Sequence, residues 1–240
     1  LVGIDDTDNH ESRGTGYLSR RLGHLIADTE TGTVKGITRH QLYVHPDIRY
    51  TSQNSSACLE IETSNPGALK SLCIDFIKKE SAEGSDAGFC FVKEDEIAAE
   101  IIRWGNAAKK KVLFLDDAVA LAGKHDVFLE GYTGNKEGMI GALAAVGLKK
   151  EGNDGRFIWK SAMKELRELE PALYTAEHLK SLLDIDHIYT QNGKEVGNHD
   201  NILTSEWVRP ALKKKESVLF VEKTDKTEDY EWKIATKEFV

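Results

Sequence analysis

The chain opens on four apolar residues, Leu1 to Ile4, and runs straight into Asp5, Asp6, Thr7 and Asp8. A short strand is expected there, with three carboxylates crowded at its carboxyl end. The polar loop Asn9 to Gly16 follows. From about Thr15, Leu18, Leu22, Leu25 and Ile26 recur at i, i+4, i+7 and i+8, the stripe of a helix buried on one side. Strand, acidic loop and helix in that order constrain the start of the chain to an α/β arrangement, which places ligands at the carboxyl ends of strands.

Further along, Val34 to His45 reads as extended. Ala57, Leu59, Ile61 and Thr63 alternate with Cys58, Glu60 and Glu62 as in a half-buried strand. Asn65 and Pro66 form an N-cap and first helical position, predicting a helix that buries Leu69, Leu72, Cys73, Phe76 and Ile77. Phe89 to Val92 is an expected strand and Glu94 to Ala108 an expected helix, with Lys109, Lys110 and Lys111 solvating its end. A change of composition near Lys124 marks the expected boundary between two domains, 1–124 and 125–240. Beyond it the pattern predicts a strand at Val127 to Tyr132, a glycine-rich turn at Gly131 to Gly138 and a small-residue helix at Met139 to Val146. A strand at Arg156 to Trp159 and helices at Lys160 to Leu169 and Thr175 to Leu183 come next. A hairpin turning at Asn192-Gly193 and a core strand at Val218 to Val221 complete the series. The expected fold class is therefore α/β followed by α+β, with a ferredoxin-like module in the second half.

Composition bounds what such a chain does. With 32 Lys and Arg against 40 Asp and Glu, a net charge of −8, it is not built to coat nucleic acid indiscriminately, although a local basic patch is compatible with that total. The three cysteines form no C-x-x-C pair, so neither a disulfide framework nor a zinc ribbon follows from them. No apolar run approaches the roughly 18 residues of a membrane span, and a reducing, cytoplasmic setting is expected. The start at Leu1 suggests that leading residues are missing.

Three carboxylates within four positions repel one another unless a cation neutralises them. Asp5, Asp6 and Asp8 are thus candidate ligands of Mg²⁺, which takes one or two carboxylates and completes its shell with water and nucleotide phosphates. The same residues also serve as a helix cap or an Asx turn. Gly14-Thr15-Gly16 before a helix offers backbone N–H groups and the Thr15 hydroxyl to a phosphate, or else caps the helix. Gly134, Asn135, Lys136 and Gly138, just ahead of a helix, are candidates for nucleotide contacts, although neither a Walker A loop nor a G-x-G-x-x-G is present. The histidines lack metal spacing, the serines lack a G-x-S-x-G elbow, and the four tryptophans are scattered as core residues are.

Gly3-Ile4-Asp5-Asp6-Thr7-Asp8 with Thr15 and Tyr17-Leu18 resembles the opening of the tRNA(Ile) agmatidine synthetase (TiaS) family. The stretch from Gly138 to Gly147 resembles a second motif of that family. Between them, His45-Pro46-Asp47-Ile48, Tyr50, Asn54 and Asp86-Ala87-Gly88 echo intermediate segments. The resemblance implies a kinase-like domain followed by a ferredoxin-like one, acting together on ATP with Mg²⁺. In that family the wobble cytidine of an isoleucine tRNA is activated by phosphorylation, and agmatine displaces the phosphate. Carried over, Asp5, Asp6 and Asp8 are the metal and phosphate carboxylates, Thr15 the threonine that becomes phosphorylated, and Gly134 to Gly138 the loop leading into the nucleotide-contacting helix. The family continues into an OB-fold and a zinc ribbon that grip tRNA, which this sequence is expected to lack. Its usual cysteine before the threonine is Gly14 here.

The function expected is an ATP- and Mg²⁺-dependent phosphotransferase or ATPase. Its acceptor would be RNA or a small molecule, with a separate subunit as a candidate source of RNA binding. Two other classes compete: a phosphohydrolase with an aspartyl nucleophile of the haloacid-dehalogenase kind, and a non-catalytic module binding RNA or protein.

Overall fold

In the computed structural model, which describes residues 1–51, 53–160, 166, 169–205, 208–224 and 230–236, the expected first strand becomes the middle of a sheet. β1 (Val2–Asp5) leads through α1 (Thr15–Asp28) to β2 (Thr33–Gln41), and the chain returns from β2 as β3 (Ser55–Glu62). α2 (Pro66–Glu80) then leads to β4 (Gly88–Phe91). The strand order is β4-β1-β3-β2, and every neighbouring pair is antiparallel. β5 (Phe128–Gly131) adds an antiparallel strand beyond β4.

Helices after the first and third strands of a β-α-β-β-α-β run in this order give the split β-α-β, or ferredoxin-like, connectivity. It lies in residues 2–91, whereas the series of expected strands and helices placed it in 125–240. The signal was present in the pattern, but the return from β2 to β3 is hidden by the long polar stretch 43–54, which breaks the hairpin spacing.

α1 forms because Leu18, Leu22 and Ile26 share one buried face, and α2 because Asn65 caps it, its side chain accepting from the Ala68 N–H at 3.1 Å. The expected helix 94–108 is split into a 3₁₀ turn at Glu94–Glu96 and α3 (Ala99–Ala108). α4 (Leu115–Lys124), which the sequence pattern did not suggest, follows the lysine run. α5 (Gly138–Glu151) is buried nearly all round from Gly141 to Leu148 and lies across β1, β3 and β4. Gly3 faces it so closely that a Cβ there would overlap the Ala142 carbonyl. Strand alternation sends Val2 and Ile4 to the opposite face, where α1 and α2 pack. The first unit is therefore a sheet between two helical layers.

That unit is Leu1–Glu151, and the second is Gly152–Val240. The boundary falls after α5 rather than near Lys124, because β5 pairs with β4 and α5 supplies the core of the first unit. In the second unit β6 (Arg156–Lys160), β7 (Leu173–Thr175), α6 (Ala176–Leu183), β8 (His187–Thr190) and β9 (Asn201–Leu203) precede β10 (Ala211–Lys213), β11 (Glu216–Lys223) and β12 (Trp232–Ile234). β11 is its spine, pairing with β10 and β12 antiparallel and with β8 in parallel. The turn at Asn192-Gly193 is present, closed by Thr190 N–H to the Lys194 carbonyl at 2.8 Å with Gly193 at φ +77°. Most of the helix expected at 160–169 lies outside the described residues. No described helix is long and apolar enough to cross a membrane.

Candidate functional site

The first unit holds a cavity of about 380 Å³ whose walls come from five parts of the chain. The end of β1 supplies Asp5, Asp6 and Asp8, and the start of α1 supplies Thr15. The β2–β3 connection contributes Ile48, Arg49, Tyr50 and Thr51, and the turn between α3 and α4 contributes Lys111, Leu113 and Phe114. Glu137, Gly138, Ile140 and Gly141, at the start of α5, complete it. The lining joins the carboxylates Asp5, Asp6, Asp8, Asp47 and Glu137 with apolar Leu42, Ile48, Val112, Leu113 and Ile140, and with Phe114, which stands 67% exposed.

The aspartates of this lining are arranged by backbone geometry. Asp6 adopts φ +50°, the left-handed region that Asp tolerates better than most residues, and so turns the chain sharply out of β1. Asp5 packs against Gly141, where a Cβ would overlap its carboxylate. Burial, reinforced by the charge on Asp6, pushes the Asp5 carboxyl up to about 8. Asp6 is raised to about 6, first by burial and then by Asp86 and Asp8, with Arg49 opposing the shift.

Asp8 is held differently. Its Oδ1 accepts from the Thr15 backbone N–H and from Thr15 Oγ1, both at 3.0 Å, and its Oδ2 accepts from Thr51 Oγ1 at 2.6 Å. Thr15 is buried, and its hydroxyl also accepts from the Thr7 N–H at 3.2 Å. Asp8 therefore tethers the first turn of α1, so the capping role and the cavity role fall on the same residue.

Of the expected site residues, Asp5, Asp6, Asp8, Thr15 and Gly138 meet at the cavity. Gly134, Asn135 and Lys136 do not line it. Instead the Asn135 N–H donates to buried Asp86, Gly134 at φ +48° passes so close to that carboxylate that only glycine fits, and Lys136 folds over Gly131. Arg49, Thr51, Asp86, Glu137 and Lys111 were not singled out from the sequence for chemistry. For Arg49 and Thr51 the available signal was the stretch 46–54, which follows the extended segment without strand or helix pattern, since binding residues concentrate on loops. Among the described residues, no three His, Cys, Asp or Glu side chains converge closely enough to cage a metal ion. Hard oxygen donors in the lining of an open cavity suit a hydrated Mg²⁺ held by one or two carboxylates and by phosphate oxygens, rather than an all-protein cage.

No family model matches the chain. The isoleucine-tRNA 2-agmatinylcytidine synthetase TiaS of Archaeoglobus fulgidus is 34% identical over 155 residues, covering 62% of this chain and 36% of that protein. The chain is similar to TiaS over about three fifths of its length. The Methanosarcina acetivorans TiaS is 29% identical over 155 residues, covering 61% and 35%. Among solved structures, apo TiaS superposes with a TM-score of 0.53 at 30% identity, covering 61% of this chain and 34% of that one. The TiaS complex with its isoleucine tRNA and ATP gives 0.54 at 30%, covering 61% and 35%. The chain thus spans about a third of the length of the curated relatives it matches. The first unit contains both motif-bearing ends, Gly3 to Asp8 and Gly138 to Gly147.

Proposed function

We propose that the first unit is an ATP-using phosphotransferase centre of the TiaS kind, dependent on Mg²⁺. The observation that carries this reading is the mixed lining of the cavity. Its carboxylates suit a cation with phosphates, its apolar residues and the exposed Phe114 ring suit a nucleobase, and its volume of about 380 Å³ is of ligand size. When bound, Mg²⁺ would neutralise developing phosphoryl charge. Asp5 and Asp6 would hold it, and Asp8 would fix Thr15 beside the terminal phosphates. Because Thr15 Oγ1 donates to Asp8, that carboxylate is also placed to take the hydroxyl proton if Thr15 receives a phosphoryl group. Gly138 opens α5 at the cavity wall, while Gly134, Asn135 and Lys136 act at one remove by seating Asp86.

The acceptor belongs to the classes present in the TiaS complex with tRNA, AMPCPP and agmatine: an RNA base and an amine. Lys109, Lys110 and Lys111 end α3 beside the cavity and are the nearest basic run for an RNA backbone. A separate subunit would extend that grip.

Titration calorimetry with ATP and Mg²⁺ tests the site. The wild-type chain should bind, and Asp5→Ala with Asp6→Ala should lose Mg²⁺-dependent affinity while keeping its circular dichroism spectrum. Equal affinity in the double variant would remove the metal assignment. Mass spectrometry after incubation should find phosphate on a peptide containing Thr15, and Thr15→Val should abolish it.

A further inference from the structure

The connection from β2 to β3 is fixed at its base and clipped at its tip. At the base, the Leu42 N–H donates to the Asn54 carbonyl at 2.8 Å, Asn54 Nδ2 to the Tyr43 carbonyl at 2.6 Å, and the Tyr43 N–H to the Ala108 carbonyl at 2.9 Å. At the tip, two side chains reach back to the body of the unit. Thr51 donates to Asp8 Oδ2 at 2.6 Å. Arg49 donates to Asp86 Oδ2 at 3.0 Å and to the Gly84 carbonyl at 2.8 Å.

The two clips share one design. Each uses a carboxylate whose other oxygen is already committed to the body of the unit: Asp8 Oδ1 to Thr15, and Asp86 Oδ1 to the Asn135 N–H. Releasing Thr51 and Arg49 would therefore leave both acids in position, each with one oxygen freed. The Arg49 side chain is 62% exposed while that of Asp86 is 1% exposed, so the guanidinium hooks a buried anion from the solvent side. The guanidinium is thus open to water, while the buried acid it holds needs another countercharge if the arginine leaves. Arg49 is also the positive group that offsets the crowded charges at Asp6.

We propose that the connection from β2 to β3, whose residues Ile48 to Thr51 line the cavity, is a strap clipped shut by the outer oxygens of Asp8 and Asp86 and released when a divalent cation takes over from Arg49 as the countercharge. A divalent ion carries twice the charge of a guanidinium and sits closer to carboxylate oxygens, so it competes favourably for them. Once released, Arg49 presents its planar donor fork at the mouth of the cavity, which suits a phosphate-bearing substrate. The identity of the ion rests on the nucleotide reading above. The clips themselves do not.

Hydrogen exchange by mass spectrometry on the full chain tests the strap. The samples are wild type and the double variant Thr51→Val with Arg49→Gln, each with MgCl₂ and with KCl at matched ionic strength. Amides of 44–51 should exchange about tenfold faster in wild type with Mg²⁺ than with K⁺. In the double variant they should exchange fast in both salts. Amides of β1 and β3 should be unchanged throughout, which reports an intact fold. Wild-type exchange that ignores Mg²⁺, or a double variant as protected as wild type in K⁺, overturns the strap. ATP calorimetry on the same samples separates the two readings. Strap release by Mg²⁺ without ATP binding removes the nucleotide site and keeps the clasp, whereas ATP binding with an unresponsive strap does the reverse.

Discussion

The two faces of the first sheet solve the same packing problem with opposite residues. Against α1 and α2 the strands present Val2, Ile4, Leu59 and Phe89, met by Leu22, Ile26, Leu69 and Ile77, a layer of large side chains at ordinary helix–sheet separation. Against α5 they present Gly3, Cys58, Cys90 and Gly88, met by Gly138, Gly141, Ala142 and Ala145. The first face holds the fold together by burying bulk. The second lets a helix lie on the strands almost backbone to backbone. That closeness brings the start of α5 up to the end of β1 and sets Gly141 against Asp5, at the proposed site.

Adding one methyl to the tight face should be the most damaging change. A Cβ at Gly88 would overlap the backbone of Gly138 and Met139, which no rotamer change relieves. Gly88→Ala is expected to cost about 4 kcal/mol or more, or to prevent folding. Removing bulk from the other face leaves a cavity without moving a helix. Leu22, fully buried, should cost roughly 3 kcal/mol as Leu22→Ala. Urea unfolding of both variants checks the ranking, and a larger loss for Leu22→Ala would show that the α5 face has slack.

The contrast also explains what could be read in advance. The large-residue face announces itself by period: Leu18, Leu22 and Ile26 in α1, and the Asn65-Pro66 start of α2, led directly to elements that the structure contains. α5 was legible as a helix but not as a member of the first unit, because a segment apolar on every side gives no direction in which to place it. α4 was missed although Leu115, Ala118 and Ala122 fall at helical spacing, because the face they form is short and made mostly of alanine. At the site, the aspartates were visible as a crowd in sequence, while Asp86 and Arg49 joined them only through the antiparallel pairing of β1 with β4 and the return of the strap. Those are long-range contacts that no local pattern encodes.

Placing carboxyls beneath α5 also gives the molecule a specific pH dependence. The Asp5 carboxyl titrates near 8 in the folded chain against an ordinary value of 3.8, so between those limits the folded state holds a proton that the unfolded state has released. Stability contributed by this group is present at low pH, declines as pH rises through that window, and falls no further above about 8. Asp6, raised to about 6, adds a decline that ends about two units sooner. Asp5→Asn should therefore raise stability on the order of 2 kcal/mol at pH 8 and almost nothing at pH 4. Thermal unfolding at the two pH values checks this, and an equal gain at both would mean that the benefit is not electrostatic.

The smallest expected change in stability is also the sharpest test of why the tight face exists. At Gly141 a Cβ would strike the side chain of Asp5 rather than a neighbouring backbone, so the obstacle is able to move. Alanine moreover favours the helical state over glycine by about 1 kcal/mol, which offsets the crowding. Gly141→Ala should thus unfold within about 1 kcal/mol of wild type. Its effect belongs at the site, since Asp5 must rotate away from α5 and leave the position from which it faces the cavity. A fall of about tenfold or more in Mg²⁺-dependent ATP affinity, with the fold intact, is the expected calorimetric result. Retained affinity would mean that the approach of α5 to β1 is only a way of closing the core, and that Asp5 is dispensable to the ligand.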